Sequence, residues 1–348
     1  EYHCRLIIQD YIKRTSIEVG NELAIKGYKE DQDCFELLDD SYKELDNITE
    51  YLQAKTEKNF SQNIDDVITG FDEKEVRVPS GIKEVNQHTN GYQAPDLVIL
   101  AARPGMGKTA LVLSEAKAQA EQGYAVGICS MEMSDKQLTG RIISNHCSID
   151  NQKIANKKLD QSQIKQIRQN VDEIKNLPIY INDQPAQTIM EIKVQAKKWK
   201  RERGLKILYV DYIQLMRSGQ NVNREQQISE FSRGLKGIAK ELDIPVVALS
   251  QLSRKVEERA LKLPMLSDLR ESGAIEQDAD VVCFIYRGEY YDIAEFENGT
   301  TTQDRAQLIF EKYRNGNTGS IFAGCNLQYM RYTDDTEELI QTENNTPF

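Results

Sequence analysis

No stretch of this chain approaches the roughly 18 consecutive apolar residues that a membrane-spanning helix needs, so nothing in it is expected to cross a bilayer. Metal-site chemistry is scarce too. There are three histidines and six cysteines, the latter at positions 4, 34, 129, 147, 283 and 325, and no two cysteines form a C-x-x-C pair, which argues against a zinc site. Cys129 and Cys283 lie in apolar runs and read as buried, reduced thiols of a cytosolic protein. A surplus of positive charge is also missing. Lys and Arg total 44 against 55 Asp and Glu, a net charge of −11. That excludes a protein that coats nucleic acid over its whole surface, but leaves room for a local basic channel. No internal repeat is visible. The opening residues Glu1-Tyr2-His3-Cys4 carry neither an initiator Met nor a signal-peptide pattern, so the chain reads as beginning inside a longer protein.

With 348 residues, 39% of them hydrophobic, the chain has material for a real core and exceeds one average domain. Helical spacing runs through residues 3–25, by way of Leu6, Ile7, Ile8, Tyr11, Ile12, Ile17, Val19, Leu23 and Ile25, and Gly27 follows as a stop. A second helix is expected over 32–55, with Phe35, Leu37, Leu38, Tyr42, Leu45, Ile48 and Leu52 on one face and acidic residues opposite. So small a helical segment cannot build a large core alone. Its apolar face packs within its own domain or docks on a neighbouring subunit. Residues 56–96 are polar, with turn signals at Pro79-Ser80-Gly81 and Asn90-Gly91. The rhythm then changes. Strands are expected at 97–102, 125–131, 205–211, 244–250, 280–286, 306–312 and 320–324, and helices at 107–122, from Ser134, and at 160–176, 187–203 and 223–242. This alternation predicts an α/β domain with a mainly parallel, twisted sheet, preceded by a small all-helical segment. The stretch from Thr333 is polar and acidic and is expected to fray.

Ala102-Arg103-Pro104-Gly105-Met106-Gly107-Lys108-Thr109 fits the Walker A phosphate loop except at Ala102, where Gly is usual. Such a loop must turn tightly enough for several backbone N–H groups to point at one phosphate chain, and Gly105 and Gly107 permit that approach. Lys108 supplies a point charge to the β- and γ-phosphates. The Thr109 hydroxyl can bind Mg²⁺. An apolar strand precedes the loop, and a helix follows it whose positive end faces the anion. ATP or GTP binding follows from this loop alone.

Hydrolysis needs more. The apolar strand Leu205–Asp211 ends in a carboxylate suited to hold Mg²⁺, as a Walker B segment does. Glu132 ends the strand after the P-loop helix, where the carboxyl ends of parallel strands gather at the ligand crevice. It is the candidate base for the attacking water, against the plainer role of a first-turn helix charge. Gln251 ends another buried strand, as a γ-phosphate sensor or a polar strand cap.

In this order the residues resemble the C-terminal motor of DnaB-type replicative DNA helicases, a branch of the RecA-like P-loop NTPases. The matching stretches are A-R-P-G-M-G-K-T (102–109), S-M-E-M (130–133), I-L-Y-V-D-Y-I-Q-L-M (207–216), P-V-V-A-L-S-Q-L-S-R (245–254), D-L-R-E-S-G-A-I-E-Q-D-A-D (268–280) and K-Y-R-N-G (312–316). The resemblance implies a homo-hexameric ring moving 5′→3′ on single-stranded DNA, with ATP and Mg²⁺ held between subunits. It gives Lys108, Thr109, Glu132, Asp211 and Gln251 to the site in cis, with Arg141 as a further active-site arginine. It gives Lys312 and Arg314 to the neighbour's site as an arginine finger. Arg270, Glu271 and Gly273 match the loop that follows the DNA backbone, and Arg254, Lys255 and Arg259 add nearby charge. The implied division is an end of an N-terminal helical domain over 1–30, a linker helix and linker over 31–79, the ATPase over 80–332 and a tail over 333–348. Primase and a helicase loader are implied partners through the N-terminal domain. The implied location is a bacterial cytoplasm, with chromosome, prophage and phage all open as the source.

Some positions depart from the family. Gly105 stands where Ser is frequent, and Tyr313 where Gln is frequent. Gly234 and Gly237 lie inside an expected helix, where each costs about 1 kcal/mol relative to Ala. They mark either a loosened helix or close packing. Two rival functions stay open at this point: a RecA- or RadA-like recombination ATPase, and a non-catalytic ATP-binding assembly or loader protein.

Overall fold

The computed structural model describes residues 2–28, 37, 41, 64, 77–217, 223–259, 261–269 and 273–335. The chain forms two compact units, Glu1–Glu75 and Val76–Phe348. In the first, α1 spans Tyr2–Gly27, as its spacing predicts. Val19 is buried, while Tyr11, Ile17, Leu23 and Ile25 are exposed. The helix expected over 32–55 lies outside the described residues except for Leu37 and Ser41, both helical.

The second unit is built on a nine-stranded sheet. In chain order its elements are α2 (Lys83–Thr89), β1 (Leu97–Ala102), α3 (Lys108–Glu121), β2 (Val126–Ser130), α4 (Asp135–Cys147), α5 (Asn151–Ala155), α6 (Gln161–Lys175), β3 (Ile179–Asn182), α7 (Ile189–Arg203), β4 (Ile207–Asp211), α8 (Arg224–Leu242), β5 (Val246–Gln251), α9 (Gly273–Asp278), β6 (Val281–Tyr286), β7 (Arg305–Tyr313), β8 (Gly319–Asn326) and β9 (Arg331–Thr333). The strand order is β3-β2-β4-β5-β1-β6-β7-β8-β9. The first six in that order run parallel, and β7, β8 and β9 extend the sheet antiparallel.

Both faces of the parallel part are covered, which is why its strands read as continuous apolar runs. Along β1, Val98 and Leu100 face a core shared with Leu111 of α3 and Leu138 of α4. Leu97, Ile99 and Ala101 face the other way, toward Trp199 of α7 and Phe231 and Leu235 of α8. The helices begin where the sequence supplies side-chain caps. Ser134, Asp160 and Thr188 each accept from the backbone three residues on and are answered by Gln137, Gln163 and Glu191 in reciprocal capping boxes. α7 stops at Gly204, left-handed at φ 67°. Cys129, Cys147, Cys283 and Cys325 are buried and free, in keeping with the expected buried thiols. Among the described residues no helix is long and apolar enough to cross a membrane.

Four short elements go beyond the expectation: α2, α5, β3 and β9. β3 has four residues, all half-buried, at the edge of the sheet. α2 begins at Ile82, which offers no side-chain cap, and ends on left-handed Asn90.

Candidate nucleotide site

The carboxyl ends of four neighbouring strands bring the expected chemistry together. Ala102 of β1 is paired with Gln251 of β5, and Asp211 of β4 with Ser130 of β2, two residues before Glu132. β5 lies between β1 and β4. The phosphate loop, Gln251, Asp211 and Glu132 therefore sit side by side along one edge, the usual ligand crevice of a parallel sheet.

The loop has the backbone that the sequence requires. Gly105 and Gly107 are left-handed, at φ 82° and 93°. A Cβ on Gly107 would lie 2.8 Å from the Tyr332 hydroxyl and 2.9 Å from Leu327, so only Gly fits there. Met106 is buried, and its carbonyl accepts from the Tyr332 hydroxyl at 3.1 Å. Pro104 is exposed. Ala102 is the last residue of a regular strand, and its carbonyl accepts from the Leu252 N–H at 3.1 Å. Its backbone needs no glycine. The Arg103 side chain turns away from the loop's hollow: Nη1 donates to the Leu252 carbonyl at 2.9 Å and Nε to Glu257 Oε1 at 2.8 Å.

The charged groups are close and largely dry. Lys108 Nζ donates to the Ser250 carbonyl at 2.9 Å. Burial pushes its ammonium down to about 8, against the pull of Asp211 and Glu132. Thr109 Oγ1 donates to Asp211 Oδ2 at 3.0 Å, while Asp211 Oδ1 is buried with no hydrogen-bond partner. Burial raises the Asp211 carboxyl to about 6, opposed first by Lys108 and then by Thr109. Glu132 is exposed at the crevice edge and contributes to the field at Lys108, Asp211 and Arg141. Arg141 of α4 is partly buried, and desolvation lowers its pKa while Asp211 and Glu132 hold it up.

One residue missed as a candidate proves central. Gln214, in the short 3₁₀ turn Ile213–Leu215, donates to Ser250 Oγ at 2.9 Å and to the Gln251 carbonyl at 3.3 Å, and accepts from the Gln251 N–H at 3.3 Å. It fixes the end of β5 from both sides. Its only sequence signal was its place in the quoted I-L-Y-V-D-Y-I-Q-L-M stretch.

Lys312 and Arg314 are not in this crevice. Lys312 pairs with Val282 and Tyr313 with Val281, while Val281 pairs with Val98. Both cations therefore lie level with the start of β1, roughly 13 Å along the strand from Ala102 at about 3.3 Å per residue. Arg270 and Glu271 fall outside the described residues, and Gly273 is the first residue of α9. Of the nearby cations, Arg259 is held by Asp268 and by the Leu263 carbonyl, while Arg254 and Lys255 are exposed.

The profile of the DnaB-like helicase C terminal domain matches residues 77–334, close to three quarters of the chain. This chain belongs to the DnaB-like helicase family. The replicative DNA helicase DnaB of Geobacillus stearothermophilus is 35% identical to it over 343 residues, covering 96% of this chain and 74% of that protein. The replicative DNA helicase DnaC of Bacillus subtilis (strain 168) is 37% identical over 347 residues, with the same coverage. Among solved structures, an isolated ATPase domain superposes with a TM-score of 0.71 at 37% identity, over 78% of this chain and 96% of that one. A DnaB-like replicative helicase, studied with its interactions with primase, gives 0.78 at 34% identity, over 96% of this chain and 78% of that one. This DnaB-like chain is thus an ATP-dependent replicative DNA helicase by family, with a nucleotide-binding α/β domain.

Proposed function

We propose that this chain hydrolyses ATP at the interfaces of a homo-hexameric ring and uses the energy to move 5′→3′ along single-stranded DNA, separating duplex ahead of it. The observation that carries the catalytic part is the Lys108–Thr109–Asp211 group. The buried Asp211 oxygen without a partner, next to one already bonded to Thr109, fits a Mg²⁺ ion arriving with the nucleotide. Bound there, Mg²⁺ supplies charge neutralisation to the β- and γ-phosphates. Among the described residues no cluster of three His, Cys, Asp or Glu could hold a metal by itself, so its remaining ligands would be phosphate oxygens and water.

In this reading the backbone from Ala102 to Thr109 wraps the phosphates, and Lys108 exchanges the Ser250 carbonyl for phosphate oxygen. Glu132 takes a proton from the water that attacks the γ-phosphorus, and ADP leaves. Gln251, held by Gln214, senses the γ-phosphate, and Arg141 adds positive charge beside it. Lys312 and Arg314 act in the neighbour's site, where they stabilise the transferring phosphoryl group. Their position at the far end of the sheet from their own phosphate loop supports action in trans. Arg270, Glu271 and Gly273 follow the DNA backbone, whose phosphate contacts carry no sequence information. Primase and a helicase loader are the proposed protein partners, by way of the N-terminal helical region. The bacterial relatives support a bacterial cytoplasm as the setting.

Glu132→Gln tests the reading. ATP binding should stay within about twofold while kcat for hydrolysis falls roughly 10²–10⁴-fold and unwinding of forked DNA stops. ATPase unchanged in the variant would remove Glu132 from the chemistry. Strand exchange without fork unwinding by the native protein would favour a recombination ATPase instead.

A further inference from the structure

The arginine proposed to complete a neighbour's site is already gripped within its own subunit. Arg314 Nη1 lies 3.0 Å from Asp280 Oδ1, and Nη2 donates to the Gln277 carbonyl at 2.8 Å. The Arg314 backbone N–H donates to the Asp280 carbonyl at 2.9 Å. The Asp280 side chain is 6% exposed and the Arg314 side chain 49%. The carboxylate is anchored from behind. Its Oδ2 accepts from the Leu97 N–H at 2.8 Å and from Lys236 Nζ at 2.5 Å, and Lys236 also donates to the Pro95 carbonyl at 2.8 Å. Lys312 is seated similarly, donating to the Glu276 and Gln277 carbonyls at 2.5 and 3.4 Å.

This geometry is more than a charge pair. A guanidinium has five N–H donors in a rigid fork. Here a buried carboxylate takes one edge and a helix-end carbonyl takes a second nitrogen. The donors left over belong to the exposed half of the group. One carboxylate also serves two cations, so the cluster keeps a net positive charge. An unanchored arginine at a strand end would sample many rotamers, whereas catalysis by a fixed charge depends on holding it where the transition state will form.

We infer that Asp280 is a positioning residue for Arg314: it holds the guanidinium in the orientation in which it meets the phosphates of the adjoining subunit, without touching nucleotide itself. The inference rests on the reading of Arg314 as acting in trans. Asp280 thereby acts on a site one subunit away while lying about a sheet's length from its own.

Subunit mixing tests this in the assembled protein. Asp280→Asn should lower kcat for ATP at least tenfold and leave the KM for ATP within about twofold, as a defect confined to the finger requires. Mixed with Lys108→Ala subunits, which keep intact fingers but lack a working phosphate loop, Asp280→Asn should regain ATPase well above the sum of the two proteins alone. Arg314→Ala mixed with Lys108→Ala is the reference. Asp280→Glu, which keeps the charge, should retain more kcat than Asp280→Asn, and it takes the same mixing test if Asp280→Asn does not fold. Complementation by Arg314→Ala but not by the Asp280 variant would overturn the inference and leave the trans reading intact. Failure of both mixtures would overturn the trans reading and the inference with it. Native kcat in Asp280→Asn would also overturn the inference.

Discussion

Lys108 makes nucleotide affinity depend on pH in a way that can be worked out from its surroundings. Burial brings its pKa down to about 8 in the absence of nucleotide. Phosphate oxygens bind the ammonium and not the amine, so the pKa rises when nucleotide occupies the loop, and binding above pH 8 must take up a proton. The protonated fraction of the free site is about nine tenths at pH 7, half at pH 8 and one tenth at pH 9. Affinity for a non-hydrolysable ATP analogue, at fixed free Mg²⁺, should therefore weaken about tenfold between pH 7 and pH 9, or about 1.4 kcal/mol. Calorimetry at pH 8 in two buffers of different ionisation heat should report uptake of about half a proton per site. Lys108→Arg keeps its charge throughout this range, so its residual affinity should lose the slope. A flat affinity with no proton uptake in the native protein, or the same slope in Lys108→Arg, would refute the reasoning.

Other outcomes are expected from buried groups and helix glycines. Gly237 has open space where a Cβ would go, so Gly237→Ala should raise stability by roughly 0.5–1 kcal/mol in denaturant titrations. A Cβ on Gly234 would lie 2.8–2.9 Å from the Ile189 side chain, so Gly234→Ala should lose roughly 1–3 kcal/mol in the same assay. Glu115 is buried against the Tyr92 and Tyr209 hydroxyls, and burial lifts its carboxyl from 4.5 to about 8. The folded state thus binds this proton more tightly than the unfolded state. Its contribution is full below pH 4.5 and is lost as pH rises toward 8, by an amount on the order of 4 kcal/mol. Glu115→Gln should flatten this part of the pH dependence of the denaturation midpoint; an unchanged slope would show that another group carries it.

The strands that bear the site were legible because both sheet faces are buried. Leu97–Ala102 and Val246–Gln251 have no polar alternation to obscure them, and each ends at a residue that breaks the apolar run. β3 was not legible because an edge strand of four half-buried residues carries too short a pattern. Gln214 was missed for another reason. Its role exists only once the turn after β4 brings its amide across to the end of β5, 36 to 37 residues away in sequence. Arg103 looks like any loop residue until its guanidinium is seen on Glu257, 154 residues on. The pair Gly234 and Gly237 shows the limit most simply. Their surroundings differ only through Ile189, so one glycine serves close packing of α7 against α8 and the other does not.

The antiparallel extension of the sheet decides where the finger candidates can act. Had the chain crossed over after β6 to make a seventh parallel strand, residues at the end of β7 would lie at the carboxyl edge, beside Lys108. Instead β7 doubles back along β6, and the chain reaches Lys312 and Arg314 at the opposite edge, near the start of β1. There the available anchors are Asp280, where the chain enters β6, and the carbonyls that end α9. α9 begins at Gly273, within the stretch proposed to meet DNA. The same six-residue helix thus joins the proposed DNA contact to the cations proposed for the neighbour's phosphates. A shift of α9 by even part of a hydrogen-bond length would move the Glu276 and Gln277 carbonyls away from Lys312 and Arg314. DNA held by one subunit would on this account be felt first at the adjoining subunit's ATP site, before its own.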